Sequence, residues 1–329
     1  MRVFFTSQHF SNKAKEEVEI YGRVLRTFGR YVVADVGYEP KLSLSYFSAS
    51  VALSGLVNSL EELMLKIKEP LACVETPIKL YVFQARKSFG KSAKDIEVEI
   101  GNDLERSGIN VNLENPKSCV LLLLAGNEFF LCVSKEFELL EYLRKEKSRE
   151  INRSEKKIME AFSFFGGLKG MNFDLAIDLG ASPGGWSNFL AKRAKKVIAI
   201  DRGYVKNSKD IKGFEREEGI FHIKESAEKG AEVLEKLKVK ADILACDINE
   251  TEEISCRICE MYAKFLKAGA PLLLTVKCNT RNPFKHVSNA KRILTKFSGF
   301  SAKCLPSNRK EVTILCWRSH RESQIGGVP

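Results

Sequence analysis

Seven short apolar segments, each of strand length, occupy the second half of the chain. They lie at or near 174–178, 197–200, 221–223, 241–246, 271–276, 300–305 and 312–317. Helical periodicity falls between them, at 186–195, 227–237 and 254–267. Alternating strands and helices form a parallel sheet covered by helices, with ligands at the carboxyl ends of the strands. The last two strands form a hairpin-like pair, which predicts one antiparallel strand at the end of the series.

A glycine-rich turn follows the first of these strands, in AIDLGASPGGWSNFL (176–190). A dinucleotide-binding turn reads G-x-G-x-x-G, but this turn has no glycine at the second position and contains Pro183. Proline has no backbone N–H, so it is poorly suited to a turn whose amides must hold a pyrophosphate. A ligand without phosphates that packs against Gly184 and Gly185 fits better, and S-adenosylmethionine is such a ligand.

Asp201 ends the next strand, 21 residues after Gly180. A carboxylate at this position can accept hydrogen bonds from both ribose hydroxyls of an adenosyl group, in an NAD site or in an S-adenosylmethionine site. Asp201 therefore predicts an adenosyl ligand, and the turn favours S-adenosylmethionine.

The segment DLGASPGGWSNFL resembles motif I of the FtsJ/RrmJ-type ribose 2′-O-methyltransferases, and the similarity covers about half of the chain. The resemblance implies a Rossmann-like class I methyltransferase sheet, mostly parallel with an antiparallel last strand, and S-adenosylmethionine as cofactor. It also implies a Lys-Asp-Lys-Glu catalytic tetrad. The matching positions are Lys157 in NRSEKKIMEAF, Asp247 in ADILACDIN, Lys277 in PLLLTVKCN and Glu311 in SNRKEVTILCW.

The same resemblance implies a set of cofactor-binding residues: Ser154, Gly180, Ser182, Pro183, Gly184, Gly185, Trp186, Asp201, Ser226 and Asp247. Two departures from the family pattern matter. Ile248-Asn249-Glu250 replaces the Met-Ala-Pro that follows the aspartate in the best-known branch. This places the chain nearer the RlmM-like branch, which lacks that proline and also carries an N-terminal extension. Ser226 stands where RlmM-like proteins have an aspartate near the adenine.

The first half of the chain resembles a THUMP domain over 81–136, with its helix, its VNLENP segment and its paired strands. We expect a ferredoxin-like α+β segment at 1–65, a THUMP-like RNA-binding domain at 66–143, and a basic linker at 144–157. The methyltransferase domain is expected at 158–318 and a flexible tail at 319–329. Within the first segment, helices are predicted over 12–28 and 52–67.

Charge is distributed unevenly between the two halves. Residues 1–143 contain 17 Lys and Arg against 19 Asp and Glu, whereas residues 144–329 contain 36 against 23. An excess of positive charge confined to one half favours a polyanionic partner. With the two resemblances, this predicts structured RNA as substrate, either tRNA or rRNA.

No membrane-spanning helix is expected, because the best apolar run, at 119–126, is of strand length and far shorter than the ~18 residues of a span. The start of the sequence has no secretory h-region, so a cytoplasmic location is expected. Nine cysteines are scattered along the chain. Cys256 and Cys259 form a C-x-x-C in a predicted helix without a second ligand pair, so no metal is expected.

The predicted reaction moves a methyl group to a ribose 2′-hydroxyl, which must lose its proton. We expect Lys277 to be the base, which requires a neutral amine near pH 7, with Lys157 and partial burial lowering its pKa. Two alternatives remain open. A methyltransferase acting on a base nitrogen normally carries Asn/Asp-Pro-Pro-aromatic where this chain has CDINE (246–250). A non-catalytic RNA-binding subunit would have lost part of the tetrad.

Overall fold

The computed structural model describes residues 1–38, 40, 42–134 and 153–320, with the Tyr46 side chain left out. The chain divides into two compact units, Met1–Lys147 and Ser148–Pro329. Most of the predicted linker, residues 144–152, and most of the predicted tail, 321–329, lie outside the described residues. No helix of the described ranges is both long and apolar enough to cross a membrane.

The first unit is an α+β structure built on one seven-stranded sheet. Its elements are β1 (Arg2–Thr6), α1 (Ser11–Glu19), β2 (Gly22–Phe28), β3 (Tyr31–Val36), β4 (Ser45–Leu56), α2 (Leu60–Ala72), β5 (Ile78–Arg86), α3 (Ala93–Arg106), β6 (Ser118–Ala125) and β7 (Glu128–Ser134). The strand order is β2-β3-β1-β4-β7-β6-β5, in which only β5 and β6 pair in parallel. Leu63, Ile67 and Ile100 of the helices are completely buried in the core over this sheet.

The two helices predicted here were each partly wrong. The helix predicted over 12–28 ends at Glu19, and β2 follows because its residues pair with β3 across the turn at Gly29, where φ is +57°. The helix predicted over 52–67 begins only at Leu60, where the Ser59 side chain accepts a hydrogen bond from the Glu62 amide. The preceding residues belong to β4, which pairs with β7.

Two predicted domain boundaries also differ from the structure. The boundary between residues 65 and 66 falls inside α2, and a single sheet joins the strands on both sides of it. The end of the predicted linker, 153–157, is the first part of a helix rather than a connection. This helix has a buried face that includes Lys157, Ile158 and Ala161, which explains why it is ordered.

The second unit contains an eight-stranded sheet with helices between its strands. Its elements are α4 (Arg153–Phe164), β8 (Phe173–Leu179), α5 (Gly185–Leu190), β9 (Ala194–Ile200), β10 (Ser208–Asp210), β11 (Gly219–Ile223), α6 (Ala227–Leu237), β12 (Ile243–Cys246), α7 (Glu252–Tyr262), β13 (Pro271–Lys277), α8 (Pro283–Ile293), β14 (Phe297–Lys303) and β15 (Glu311–Arg318). The strand order is β10-β11-β9-β8-β12-β13-β15-β14.

All pairs from β10 to β13 are parallel, and β15 is antiparallel to both β13 and β14. The predicted mostly parallel sheet with an antiparallel last strand is therefore confirmed. After β8 the chain adds β9, β10 and β11 on one side and then returns to place β12 on the other. This reversal creates a crevice at the carboxyl ends of β8 and β12, where ligands bind in open sheets of this kind.

Candidate active site at the carboxyl edge of the second sheet

The glycine-rich turn after β8 packs directly against the chain that follows β12. Gly180 has φ of +77°, and a Cβ built on it would lie 2.9 Å from both the Asp247 carbonyl oxygen and the Ile248 amide nitrogen. A side chain is therefore excluded at this position by backbone contact and by its left-handed conformation. Gly184, with φ of +113°, immediately precedes α5, and a Cβ built on it would lie 3.0 Å from the Lys206 amide nitrogen. The sequence needs glycine at both positions to bring these loops together.

Asp201 organises the other side of the same turn. Its Oδ2 accepts a hydrogen bond from the Ser182 amide (3.2 Å), and its Oδ1 accepts one from the Gly203 amide (2.6 Å). The Ser182 hydroxyl donates to the Tyr204 carbonyl at 2.9 Å. The Ser182–Pro183 peptide bond is cis. The turn and the loop after β9 therefore form one hydrogen-bonded structure, with the Asp201 carboxylate at its centre.

The structure brings the four predicted tetrad residues into one cluster. Lys157 Nζ lies 2.9 Å from Asp247 Oδ2 and 2.9 Å from Glu311 Oε2. Lys277 Nζ lies 2.7 Å from Glu311 Oε1 and 3.4 Å from Asp247 Oδ1. Each lysine thus contacts both carboxylates. Lys277 is the most accessible member, with 24% of its side chain exposed against 7% for Lys157.

Sheet register and strand order account for this arrangement. Lys277 and Glu311 are paired residues of the antiparallel strands β13 and β15. Asp247 follows β12, which is the other neighbour of β13. Three of the four residues therefore stand at the ends of adjacent strands, and only Lys157 comes from elsewhere in the chain.

Helix α4 brings Lys157 to the cluster through contacts that the sequence patterns did not reveal. Trp186 Nε1 donates to the Ser154 carbonyl oxygen (2.8 Å), which ties the start of α4 to the glycine-rich turn. The completely buried Glu160 carboxylate accepts hydrogen bonds from the Ser307 amide and hydroxyl. Arg153 Nε donates to the Ser307 carbonyl oxygen (3.1 Å). The helix is thereby held to the loop that leads into Glu311.

The electrostatics of the cluster contradict one expectation. Burial lowers the pKa of Lys277, but the charges of Asp247 and Glu311 and their hydrogen bonds outweigh it and raise the pKa above its ordinary value. The expected shift toward neutrality was wrong, because Lys277 touches two carboxylates. Burial likewise raises the pKa of Glu311, and the two lysines more than reverse this, so its pKa lies below the ordinary value.

Asp178, one residue before the end of β8, is a buried acid that was not predicted as a site residue. Its side chain is fully buried, and Oδ2 accepts a hydrogen bond from the Ser187 hydroxyl (2.6 Å). Oδ1 has no hydrogen-bond partner in the part of the chain that is described. Burial, together with the charges of Asp247 and Asp201, raises the pKa of Asp178 to about 7, although the hydrogen bond from Ser187 lowers it.

The remaining predicted positions have structural roles of their own. Ser226 precedes α6, where its hydroxyl accepts a hydrogen bond from the Lys229 amide (3.4 Å). Gly185 is the first residue of α5. Cys256 and Cys259 are buried in α7, and burial raises the pKa of both thiols. Within the described ranges, no group of three or more His, Cys, Asp or Glu side chains could hold a metal ion.

The strand order and the position of the site define a Rossmann-like class I methyltransferase fold in the second unit. Residues 151–286 match the model of the FtsJ-like methyltransferase family. The matched range includes Lys157, Asp247 and Lys277 and ends before Glu311. It supports a methyltransferase domain in this unit.

Two curated proteins and one solved structure illustrate the similarity. An uncharacterized protein of Methanocaldococcus jannaschii is 30% identical over 190 residues, which cover 56% of this chain and 52% of that protein. Ribosomal RNA large subunit methyltransferase M of Laribacter hongkongensis is 36% identical over 124 residues, 36% of this chain and 31% of that protein. The chain therefore spans about half the length of the first relative and less of the second. The crystal structure of TrmN from Thermus thermophilus aligns over 97% of this chain and 99% of its own, with 14% identity and a TM-score of 0.40.

Proposed function

We propose that this protein is an S-adenosylmethionine-dependent RNA ribose 2′-O-methyltransferase acting on structured RNA, either tRNA or rRNA. The observation that carries the proposal is the cluster of two lysines and two carboxylates beside the glycine-rich turn. The FtsJ-like match and the name of the Laribacter hongkongensis relative support RNA methylation as the activity. The excess positive charge of the second half of the chain supports RNA as the substrate.

The residues of the turn and of the loop after β9 fit S-adenosylmethionine. Each oxygen of Asp201 accepts one backbone hydrogen bond and can accept another, so the carboxylate can still hold both ribose hydroxyls. The turn, from Gly180 through Ser182, Pro183, Gly184 and Gly185 to Trp186, would hold the rest of the cofactor, with Ser154, Ser226 and Asp247 around it. When bound, S-adenosylmethionine supplies an electrophilic methyl group on a sulfonium.

The tetrad residues would orient the ribose and receive its proton. Lys277 Nζ, the most accessible charged group of the cluster, would accept the proton of the 2′-hydroxyl as the C–O bond to the methyl group forms and the C–S bond to the sulfonium breaks. Asp247 and Glu311 would fix both lysine side chains, since each carboxylate contacts both. Lys157, the most buried of the four, would hold the two carboxylates in place. Because the pKa of Lys277 is raised, only its minor neutral form can accept a proton at pH 7.

The first unit would serve RNA recognition. We infer a THUMP-like role for it from the resemblance over 81–136. Since the charge of residues 1–143 is close to balanced, it would recognise RNA by shape rather than as an electrostatic clamp.

The proposed function is tested in cells that lack this protein. Nucleoside mass spectrometry of separated tRNA and rRNA fractions should show one 2′-O-methylated nucleoside reduced, and the wild-type protein should restore it. The matched control is Lys277→Ala, which removes the proposed base and should not restore the nucleoside. Restoration by this variant, or a loss confined to base-methylated nucleosides, would contradict the proposal.

A further inference from the structure

The longest stretch of the chain that contains no acidic residue is strongly basic, and it lies between two tetrad residues. Residues 278–310 contain eight Lys and Arg and no Asp or Glu. The stretch begins immediately after Lys277 and ends immediately before Glu311. It comprises a loop at 278–282, α8, β14 and a second loop at 304–310. The charge imbalance of the chain is therefore concentrated between two residues of the candidate site.

The two loops lie side by side at the carboxyl edge of the sheet. Lys277 and Glu311 are paired across β13 and β15, so the loops that adjoin them start from the same point. The Cys278 amide donates a hydrogen bond to the Lys310 carbonyl oxygen (2.7 Å) and continues this pairing by one residue. Both loops therefore start beside Lys277, the most accessible tetrad lysine.

The eight cations divide into two groups of four. Lys296 lies 3.8 Å from Glu260, Arg292 donates to the Asn289 side chain, and Lys291 and Lys303 lie over the rings of Phe300 and Phe164. The other four are exposed, and their side chains have no ion-pair, hydrogen-bond or ring partner among the described residues. They are Arg281, Lys285, Arg309 and Lys310, which we call the basic rim.

The basic rim is well placed for a chain of phosphates. Arg309 and Lys310 belong to one loop, Arg281 belongs to the other, and Lys285 lies in the first turn of α8. That turn contains no acidic residue, and the positive end of the helix dipole favours an anion there. Neighbouring like charges repel one another and weaken the folded state. Four exposed cations with no ion-pair partner among the described residues are most readily explained by an anionic partner.

We propose that the basic rim binds the phosphates that flank the target nucleotide and so presents its ribose to Lys277. This inference rests on the proposed function, because it takes the methyl acceptor to be RNA. Phosphates adjoin the target ribose on both sides of an RNA strand, and the rim adjoins Lys277 through both loops. Phosphate contacts position the strand and do not read its sequence.

The test compares two variants of the full-length protein that each lose four positive charges. The rim variant carries Arg281→Gln, Lys285→Gln, Arg309→Gln and Lys310→Gln. The control carries Lys169→Gln, Arg216→Gln, Lys236→Gln and Lys238→Gln, all exposed and all preceding β8, β11 or β12 at the amino edge of the same sheet. The probe is a fluorescein-labelled single-stranded 20-nucleotide RNA of mixed sequence, and binding is read by anisotropy at several salt concentrations.

The rim variant should bind the probe about tenfold or more weakly than wild type, and its salt slope should fall by about 3, since each phosphate contact on single-stranded RNA contributes about 0.7. The control should keep the wild-type slope. Methyl transfer by the rim variant should show a raised KM for RNA and a kcat close to wild type. An unchanged slope, or an equal loss in the control, would overturn the inference.

A lowered kcat with unchanged KM would also overturn it, because the rim would then act on the geometry of the site. The binding measurement does not depend on turnover. If wild type binds the probe with a steep salt slope but forms no 2′-O-methylnucleoside, the proposed function fails while the binding data still decide the role of the rim.

Discussion

Lys157 and Asp247, 90 residues apart in the chain, form a two-point ion pair in which Nζ lies 3.1 Å from Oδ1 and 2.9 Å from Oδ2. The same nitrogen lies 2.9 Å from Glu311 Oε2, so one buried cation stabilises two carboxylates. An acidic residue at the end of a strand and a lysine on a helix are each common in proteins. Here the contact between Asp247 and Lys157 fixes the position of α4 on the sheet. The stability of the fold and the geometry of the site therefore depend on the same residue.

Replacement of Lys157 should destabilise the protein. Lys157→Met leaves Asp247 and Glu311 buried with Lys277 as their only close tetrad cation, and removal of one partner of a buried ion pair costs about 3–5 kcal/mol. Addition of Glu311→Gln should recover part of this loss, since one of the uncompensated charges disappears. Denaturant unfolding of the two single variants and the double variant measures the coupling. Simple additivity would show that the pair contributes no interaction energy.

Asp201→Ala should weaken S-adenosylmethionine binding about tenfold or more, because two charge-assisted hydrogen bonds to the ribose are lost. The structure adds that the Ser182 and Gly203 amides lose their acceptor, so the turn should also loosen. Isothermal titration calorimetry measures the affinity, and Asp210→Ala, which removes the exposed aspartate at the end of β10, is the control. Unchanged affinity, or tight binding of NAD by wild type, would contradict the proposed cofactor.

Asp178 should make the protein less stable as the pH rises. Its pKa is about 7 in the folded protein and near the ordinary aspartate value when unfolded, so folding favours the protonated form. This contribution is complete below pH 4 and is lost progressively as the pH rises to about 7. Asp178→Asn should therefore gain about 2–4 kcal/mol relative to wild type between pH 5 and pH 8. Thermal unfolding of the variant and of wild type at both pH values measures this gain. If the stability difference between the two proteins is the same at pH 5 and pH 8, the raised pKa of Asp178 is refuted.

The raised pKa of Lys277 leads to a pH prediction for methyl transfer. If the neutral amine accepts the hydroxyl proton, its fraction grows tenfold per pH unit, and the single-turnover rate at saturating RNA should rise with a slope of about 1 from pH 7 to pH 9. Lys277→Arg should lose about 10²–10⁴-fold, since a guanidinium does not release its proton. Lys236→Arg, at the opposite edge of the sheet, is the control. A flat pH profile with an active arginine variant would leave Lys277 as an electrostatic anchor.

Much of the second unit could be predicted from the sequence because its signals are local. Buried parallel strands appear as apolar runs, and each one from β8 to β13 except the three-residue β10 was located. Glycine at 180 and 184 is required by backbone contacts that any residue with a Cβ would break. The positions of the tetrad residues followed from the family resemblance, and the structure places all four in contact.

The rest depends on contacts between distant residues. The segment 22–28 looked helical, yet it pairs with β3. The local periodicity favoured a helix, and pairing with the next strand leaves no signal in the sequence strong enough to outweigh it. The direction in which the pKa of Lys277 is shifted could not be predicted, because it depends on which charged groups lie within 4 Å of its amine. Glu160 is completely buried, and its carboxylate accepts a hydrogen bond from the amide of Ser307, 147 residues later. Without that distant partner, a charged residue on a helix is expected to be exposed.

The most direct measurement of the central claim uses the purified full-length protein. S-adenosylmethionine with an isotopically labelled methyl group is incubated with unmodified transcripts of tRNA and of large-subunit rRNA, and the products are digested to nucleosides and analysed by mass spectrometry. We predict label in a 2′-O-methylated nucleoside with wild type and none with Lys277→Ala, although this variant still binds S-adenosylmethionine. Label in a base-methylated nucleoside, or equal 2′-O-methylation by Lys277→Ala, would contradict the account.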